Sequence, residues 1–331
     1  MDYPGLRSIE NFRRDLIEWY LRHHRDLPWR RTRDPYQIWV SEIMLQQTRV
    51  ATVIPYYERF LQRFPTIEAL AEAPEPDLLA AWSGLGYYHR ARNLQKAARE
   101  MDGQFPRNYG EILSLPGVGE YTAAAVASIA FDLPNAVVDG NVLRVLSRLT
   151  CDPTDLSLAS AKAHFQQIAD HLLDRHQPGV YNQAIMELGA TLCLPEDPHC
   201  ILCPVREHCQ AQCAGRHRDL PVKSKKKQMV RHDRTLLIVR RDSDILFWQR
   251  PPEARHLGGF WELPEPQHLP EVSTSEDLAS FRHTIMNRSY RFSIRSASVD
   301  GTPEGMRWLT ALDRLTLPVS TTARKALALV G

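Results

Sequence analysis

From the N-terminus to about Pro221 the apolar residues recur at helical spacing, as in Phe12, Leu16, Trp19 and Tyr20, or Leu70, Leu78, Leu79 and Trp82. This pattern predicts a stretch that is nearly all helix. Asp34-Pro35 supplies an N-cap and a first-turn proline ahead of a helix bearing Ile38, Trp39, Ile43 and Met44, and Pro65, Pro74, Pro76 and Pro106 punctuate the helices that follow. Lys223-Ser224-Lys225-Lys226-Lys227-Gln228 has no apolar periodicity and reads as a basic linker. Beyond it the period changes. Leu236-Leu237-Ile238-Val239, Ile245-Leu246-Phe247-Trp248 and Tyr290-Arg291-Phe292-Ser293-Ile294 are short β-type runs between turn clusters, which predicts a smaller domain built on a sheet.

With 331 residues the chain has room for two or three domains, and 43% hydrophobic with 24% charged residues is ordinary for a globular protein. A net charge of +2 admits a nucleic-acid partner without requiring one, so local patches must carry that case. No stretch reads as a membrane span. The first residues, with Asp2, Glu10, Arg13, Arg14 and Asp15, do not read as a secretory signal, so the expected location is inside the cell. Five of the six cysteines fall between Cys193 and Cys213, which fits metal ligation in a reducing compartment better than a disulfide framework.

Three motifs carry chemistry. Cys193, Cys200, Cys203 and Cys209 are spaced C-x6-C-x2-C-x5-C, and four thiolates in one short loop can hold an iron–sulfur cluster; zinc on Cys200, Cys203, Cys209 and Cys213 is the alternative. Leu115-Pro116-Gly117-Val118-Gly119 lies between two helical stretches as a helix–hairpin–helix, where Gly117 and Gly119 let the backbone approach a phosphate; an ordinary helical turn is the plainer explanation. Two carboxylates stand in apolar settings. Asp139, after Val137-Val138, is either the N-cap of the next helix or a carboxylate used near a flipped base. Glu42, between Val40 and Ile43, is either a surface residue of an amphipathic helix or a second functional carboxylate. In this order the motifs point to a DNA repair glycosylase.

The chain resembles the MutY-type adenine DNA glycosylases of the endonuclease III superfamily. The likeness runs over almost the whole chain: Leu27-Pro28-Trp29-Arg30, the segment from Trp39 to Thr48, Gly84-Leu85-Gly86-Tyr87-Tyr88, Leu115 to Tyr121, Val138-Asp139-Gly140-Asn141, Asn182-Gln183-Ala184 and the four-cysteine loop. It implies a mainly α fold, with a helix–hairpin–helix six-helix barrel over 30–135 and a helical [4Fe–4S] domain from 1–29 and 136–222. A basic linker over 223–234 would lead to a small α+β Nudix-like lesion-recognition domain over 235–331. The implied activity is removal of adenine mispaired with 8-oxoguanine or guanine from double-stranded DNA by a cytoplasmic, nucleoid-associated monomer. A cation at the helix–hairpin–helix is compatible with the resemblance.

Residue by residue, the resemblance makes Glu42 the general acid that protonates adenine at N7, with an apolar setting raising its pKa. Asp139 would stabilise the positive sugar, with Tyr121 and Asn141 orienting that carboxylate and the nucleophile. Superfamily members that also cut the strand carry a Lys at the position of Tyr121, so base removal alone is implied. Gln183, Trp29 and Arg30 would form the adenine pocket, Gln47 and Tyr87 would wedge into the duplex, and Leu115, Gly117, Val118 and Gly119 would hold its backbone. Tyr88 reads as core. Two departures stand out. The stretch Pro195-Glu196-Asp197-Pro198-His199 is acidic where relatives carry basic residues. The Phe-Ser-His triplet that reads 8-oxoguanine is replaced around Phe281-Arg282-His283-Thr284-Ile285-Met286-Asn287, leaving His283 and Asn287 as the candidate lesion readers and implying a weaker preference for 8-oxoguanine over guanine. The rival functions are a mismatch thymine or uracil glycosylase, which would not be expected to keep Gln183 or the C-terminal domain, and a catalytically silent iron–sulfur DNA-binding protein.

Overall fold

Asp34 caps the helix expected after it: its carboxylate accepts from Tyr36 N at 2.8 Å, Pro35 opens the first turn, and the helix runs Pro35–Leu45. This computed structural model describes residues 8–224, 230–251, 253–254, 257–270, 272, 274–285 and 288–330, the side chains of 230, 274–276 and 285 excepted. The helices are α1 (Ile9–His23), α2 (Pro35–Leu45), α3 (Val50–Arg63), α4 (Ile67–Glu72), α5 (Glu75–Trp82), α6 (His89–Glu100), α7 (Tyr109–Ser114), α8 (Glu120–Phe131), α9 (Gly140–Leu149), α10 (Ala161–Leu172), α11 (Pro178–Thr191), α12 (Gln210–Cys213), α13 (Ala311–Thr316) and α14 (Thr321–Val330). None among the described residues is long and apolar enough to cross a membrane.

The chain divides into two units, Met1–Glu72 with Asn93–Lys226, and Ala73–Arg92 with Lys227–Gly331. The grouping of Ala73–Arg92 with the C-terminal residues differs from the continuous 30–135 barrel read from the sequence. Within the second unit Tyr88 packs on Phe260, ring centroids 4.0 Å apart, so Tyr88 is buried as expected, but in this unit and not in the core of the barrel.

In the first unit α2 and α8 are buried on nearly every face, which is why their sequences are apolar all round instead of amphipathic. α11 packs against α1, α8 and α9. The approach to α9 is close enough that a Cβ on Gly189 would lie 3.0 Å from Asn141 Cβ, so the glycine lets α11 reach the start of α9. Asn182, fully buried, donates to Ser128 Oγ and Asn135 O and accepts from Val137 N, tying α11 to the segment that leads to Asp139.

The second unit is built on a mixed sheet of order β3-β2-β1-β5-β4, with β6 pairing β2. The strands are β1 (Val230–Arg241), β2 (Asp244–Gln249), β3 (Trp261–Glu262), β4 (Thr274–Ile285), β5 (Arg288–Ala297) and β6 (Met306–Leu309). The three β-type runs fall inside β1, β2 and β5. Alternation along β1 sends Leu236 and Ile238 into one apolar cluster with Ala323 and Ala326 of α14, and Leu237 and Val239 into another with Leu269 and Ala297. The linker boundary needs correction. β1 begins at Val230, ahead of the expected linker end at 234, because parallel pairing with β5 recruits the polar Arg231 to Thr235, which no apolar alternation betrays. Lys225, Lys226 and Lys227 lie outside the described residues.

Candidate active site

Glu42 stands mid-helix on α2, 5% exposed, which removes the reading of a surface glutamate. It accepts a hydrogen bond on Oε2 from the Tyr121 hydroxyl at 2.8 Å. Burial pushes its carboxyl up to about 7; the Tyr121 hydrogen bond opposes this, the Asp139 charge adds to it and Arg30 offsets it. Tyr121, in the first turn of α8, is itself raised well above its ordinary value by burial and by Glu42, so it remains a donor, and its hydroxyl also meets Met186 Sδ at 3.2 Å.

Asp139 is the N-cap of α9. Its Oδ1 accepts from Asn141 N at 2.9 Å and Val142 N at 2.7 Å, and its Oδ2 from Asn141 Nδ2 at 3.3 Å. The capping alternative is therefore correct as far as it goes, and Asn141 touches Asp139 as the resemblance implies. The Tyr121 hydroxyl donates to Glu42, as the first turn of α8 packs against α2, while the Asp139 charge is near enough to raise the Tyr121 pKa.

Arg30, Gln183 and Trp29 fall in one neighbourhood. Trp29 is buried edge-on against Tyr57. Gln183 on α11 is half-buried, and its Oε1 accepts from Tyr20 Oη at 3.1 Å. Arg30 donates to Glu187 at 2.8 Å and lies over the Tyr20 ring. Arg25 joins them with a bidentate contact to Glu187 at 2.7 and 2.8 Å. Burial works against the Glu187 charge, but the two arginines outweigh it and hold its carboxyl down at about 2. Sequence reasoning missed Tyr20, Arg25 and Glu187. The available signal was Glu187 one helical turn after Gln183 within an otherwise apolar run.

Behind Asp139, Arg144 donates to Asn141 Oδ1 at 3.0 Å, Gly189 O at 2.8 Å and Cys193 O at 2.8 Å. Arg148, 2% exposed, donates to Leu194 O, Pro195 O and Leu220 O, and to Cys193 Sγ at 3.4 Å. Cys193, Cys200, Cys203 and Cys209 line one cavity with Arg148, Arg206 and His217, whereas Cys213 is exposed and does not line it. Burial pushes the thiols of Cys203 and Cys209 up to about 12 and about 11. The cavity offers four sulfurs with cationic neighbours and no carboxylate, a donor set compatible with an iron–sulfur cluster, although among the described residues no three His, Cys, Asp or Glu side chains are grouped so as to hold a metal ion as they stand.

At the hairpin, Val118 N donates to Leu115 O at 3.1 Å and Gly117 has φ +76°, a conformation in which a Cβ would also lie 2.7 Å from Asn93 Cβ. No side chain caps α8, so the N–H groups of its first turn are free to face an anion. Leu115 and Val118 are buried and Gly119 is exposed. Gln47 and Tyr87, the expected wedges, both take left-handed backbone conformations, φ +59° and +50°, and both are exposed. His283 is half-buried on β4 and accepts from Lys325 Nζ of α14 at 3.2 Å, so it is committed inside its own unit. Asn287 lies outside the described residues.

Residues 40–170 match the HhH-GPD superfamily of base excision DNA repair proteins. The chain is 47% identical over 222 residues to the adenine DNA glycosylase of Rattus norvegicus, a match covering 63% of this chain and 43% of that protein. It is 34% identical over 258 residues to the adenine DNA glycosylase of Buchnera aphidicola subsp. Baizongia pistaciae, covering 76% of this chain and 71% of that one. The chain thus spans less than half the length of the rat relative. Among solved structures, a thermostable thymine-DNA glycosylase is similar at 30% identity with a TM-score of 0.57, over 62% of this chain and 97% of that one.

Proposed function

The chain belongs to the adenine DNA glycosylase family of the HhH-GPD superfamily, and from that membership we propose that it removes adenine mispaired with 8-oxoguanine or guanine in double-stranded DNA, as a monofunctional glycosylase acting as a monomer beside the nucleoid. The observation that carries this reading is the contrast between a buried Glu42 with its pKa near neutrality and an Asp139 held by three donors on the same site.

With adenine flipped into the pocket, Glu42 donates its proton to N7. The C1′–N9 bond then breaks, its electron pair leaves with the neutral base, and positive charge develops on the sugar. Asp139 offsets that charge, and water adds at C1′ with loss of its proton, leaving an abasic site. Tyr121 occupies Oε2 of Glu42, which reserves Oε1 for the transferred proton. With no Lys at position 121, no Schiff base forms.

Gln183, Trp29 and Arg30 recognise the base, with Arg25 and Glu187 holding Arg30 in place. The hairpin of Leu115, Gly117, Val118 and Gly119 grips a phosphate through backbone N–H groups, together with a cation, and Gln47 and Tyr87 fill the space the base leaves. Cys193, Cys200, Cys203 and Cys209 would hold a [4Fe–4S] cluster, which when bound cross-links its loop behind Asp139 through Cys193 and Arg144. The second unit we read as Nudix-like and as the lesion reader, with a reduced preference for 8-oxoguanine that depends in part on Asn287.

Single-turnover excision from A:8-oxoguanine, A:G, T:G and U:G duplexes tests the reading. Adenine release from the first two alone, with no borohydride-trapped adduct, is the expected result. Release of thymine or uracil in place of adenine would assign the chain to the mismatch pyrimidine glycosylases. Anaerobically purified protein should carry about four irons per chain, and stoichiometric zinc would overturn the cluster.

A further inference from the structure

Tyr20 on α1 holds one end of the side chain assigned above to reading the base. It is 5% exposed, with the His24 ring stacked on it at 4.8 Å between centroids and the Arg30 guanidinium over it at 5.4 Å. Its hydroxyl donates to Gln183 Oε1 at 3.1 Å, joining residues 163 positions apart. Burial raises the Tyr20 pKa by more than Arg30 lowers it, so the hydroxyl keeps its proton.

A phenol donates better than it accepts, and an amide oxygen accepts better than a phenol oxygen. The pairing is therefore stronger with Oε1 turned to Tyr20 than with Nε2 in its place. Among the described residues Nε2 has no hydrogen-bond partner, and Gln183 is only half-buried. The amide is thus oriented without being used up: Oε1 keeps a second lone pair, and Nε2 keeps both hydrogens.

The order of donor and acceptor separates two purines on their Watson–Crick edge. Adenine offers its N6 amine as donor beside N1 as acceptor, whereas hypoxanthine offers O6 as acceptor beside N1–H as donor. An amide free to turn over can match either base. One pinned through its oxygen matches one of them and leaves buried polar groups unpaired against the other.

We propose that Tyr20 is a positioning residue that sets base specificity, fixing the Gln183 amide in the orientation that fits adenine and rejects hypoxanthine, an inference that rests on Gln183 meeting the flipped base. Tyr20 acts through Gln183, and the discrimination lies in the hydrogen bond between them.

The test is single-turnover excision of adenine and of hypoxanthine, each placed opposite 8-oxoguanine, by the full chain, Tyr20→Phe, Gln183→Ala and the double variant. Phe keeps the ring and removes only the hydroxyl. Tyr20→Phe should lower the ratio of the adenine rate to the hypoxanthine rate by roughly three- to tenfold, the effect of one hydrogen bond. A merely structural role would slow both bases together and leave the ratio unchanged. In the Gln183→Ala background, Tyr20→Phe should change the ratio no further. An unchanged ratio in Tyr20→Phe, or the same drop in the Gln183→Ala background, overturns the proposal. Failure of the wild-type chain to release adenine would instead sink the glycosylase reading, so the two failures are distinguishable.

Discussion

Glu42 and Asp139 both stand in largely apolar stretches, yet the fold gives them opposite surroundings. Glu42 stands in the middle of α2, where backbone N–H groups are already used within the helix, and the hydrogen bond it accepts comes from the Tyr121 side chain. Asp139 stands at the start of α9, where two free N–H groups and the Asn141 amide point at its oxygens and the helix end favours negative charge. Position along a helix thus separates a carboxyl that holds a proton near neutral pH from one supplied with donors. Capping and the proposed catalytic role do not compete at Asp139, because the cap is what fixes the carboxylate in place.

Removing either carboxyl should give the largest effect. Asp139→Asn keeps a good capping residue and therefore the fold, but not the charge, while Glu42→Gln cannot donate a proton; each should lose excision by roughly two or more orders of magnitude while still binding an A:8-oxoguanine duplex. Near wild-type single-turnover rates for Asp139→Asn would reduce Asp139 to a cap.

The burial of Glu42 also carries a stability cost with a definite sign. Its folded pKa of about 7 lies above the ordinary value of 4.5, so below 4.5 both states are protonated and burial costs nothing through ionisation. Stability then falls as pH rises from 4.5 to about 7 and stays lower above it. Glu42→Gln should therefore be more stable than the parent above pH 7, by on the order of 3 kcal/mol, with the difference fading toward pH 4.5. Denaturant midpoints at several pH values measure it, and a constant difference across that range would show that Glu42 does not titrate there.

The same shift sets an expectation for the rate. If protonated Glu42 is the acid, the single-turnover rate should drop about tenfold per unit above pH ~7. A rate flat from pH 6 to pH 9 would assign the acid elsewhere. The smallest change is expected from Tyr121→Phe, which removes the hydrogen bond that lowers the Glu42 pKa: the fall in rate should move to higher pH by less than about one unit. A move to lower pH would mean that Tyr121 acts chiefly on another group.

Much of the helical unit was legible because its signals are local. Asp34-Pro35 and Asp139 mark helix starts through their own chemistry, and the LPGVG turn carries its glycine where φ is positive. The four cysteines that line one cavity were readable from spacing alone. The sheet unit was less legible, since the start of β1 is held by parallel pairing with β5, a strand far along the chain, and not by any pattern within Val230 to Thr235.

The sequence by itself determined which residue types are available, where helices begin and end, and that a carboxyl at position 42 would sit among apolar neighbours. Only the tertiary structure decided who meets whom: Tyr121 with Glu42, Arg30 with Glu187, and Arg144 with Cys193. These pairings join residues 49 to 157 positions apart. They depend on how helices pack, and packing is set by the shapes of whole helix faces, which no short stretch of sequence contains.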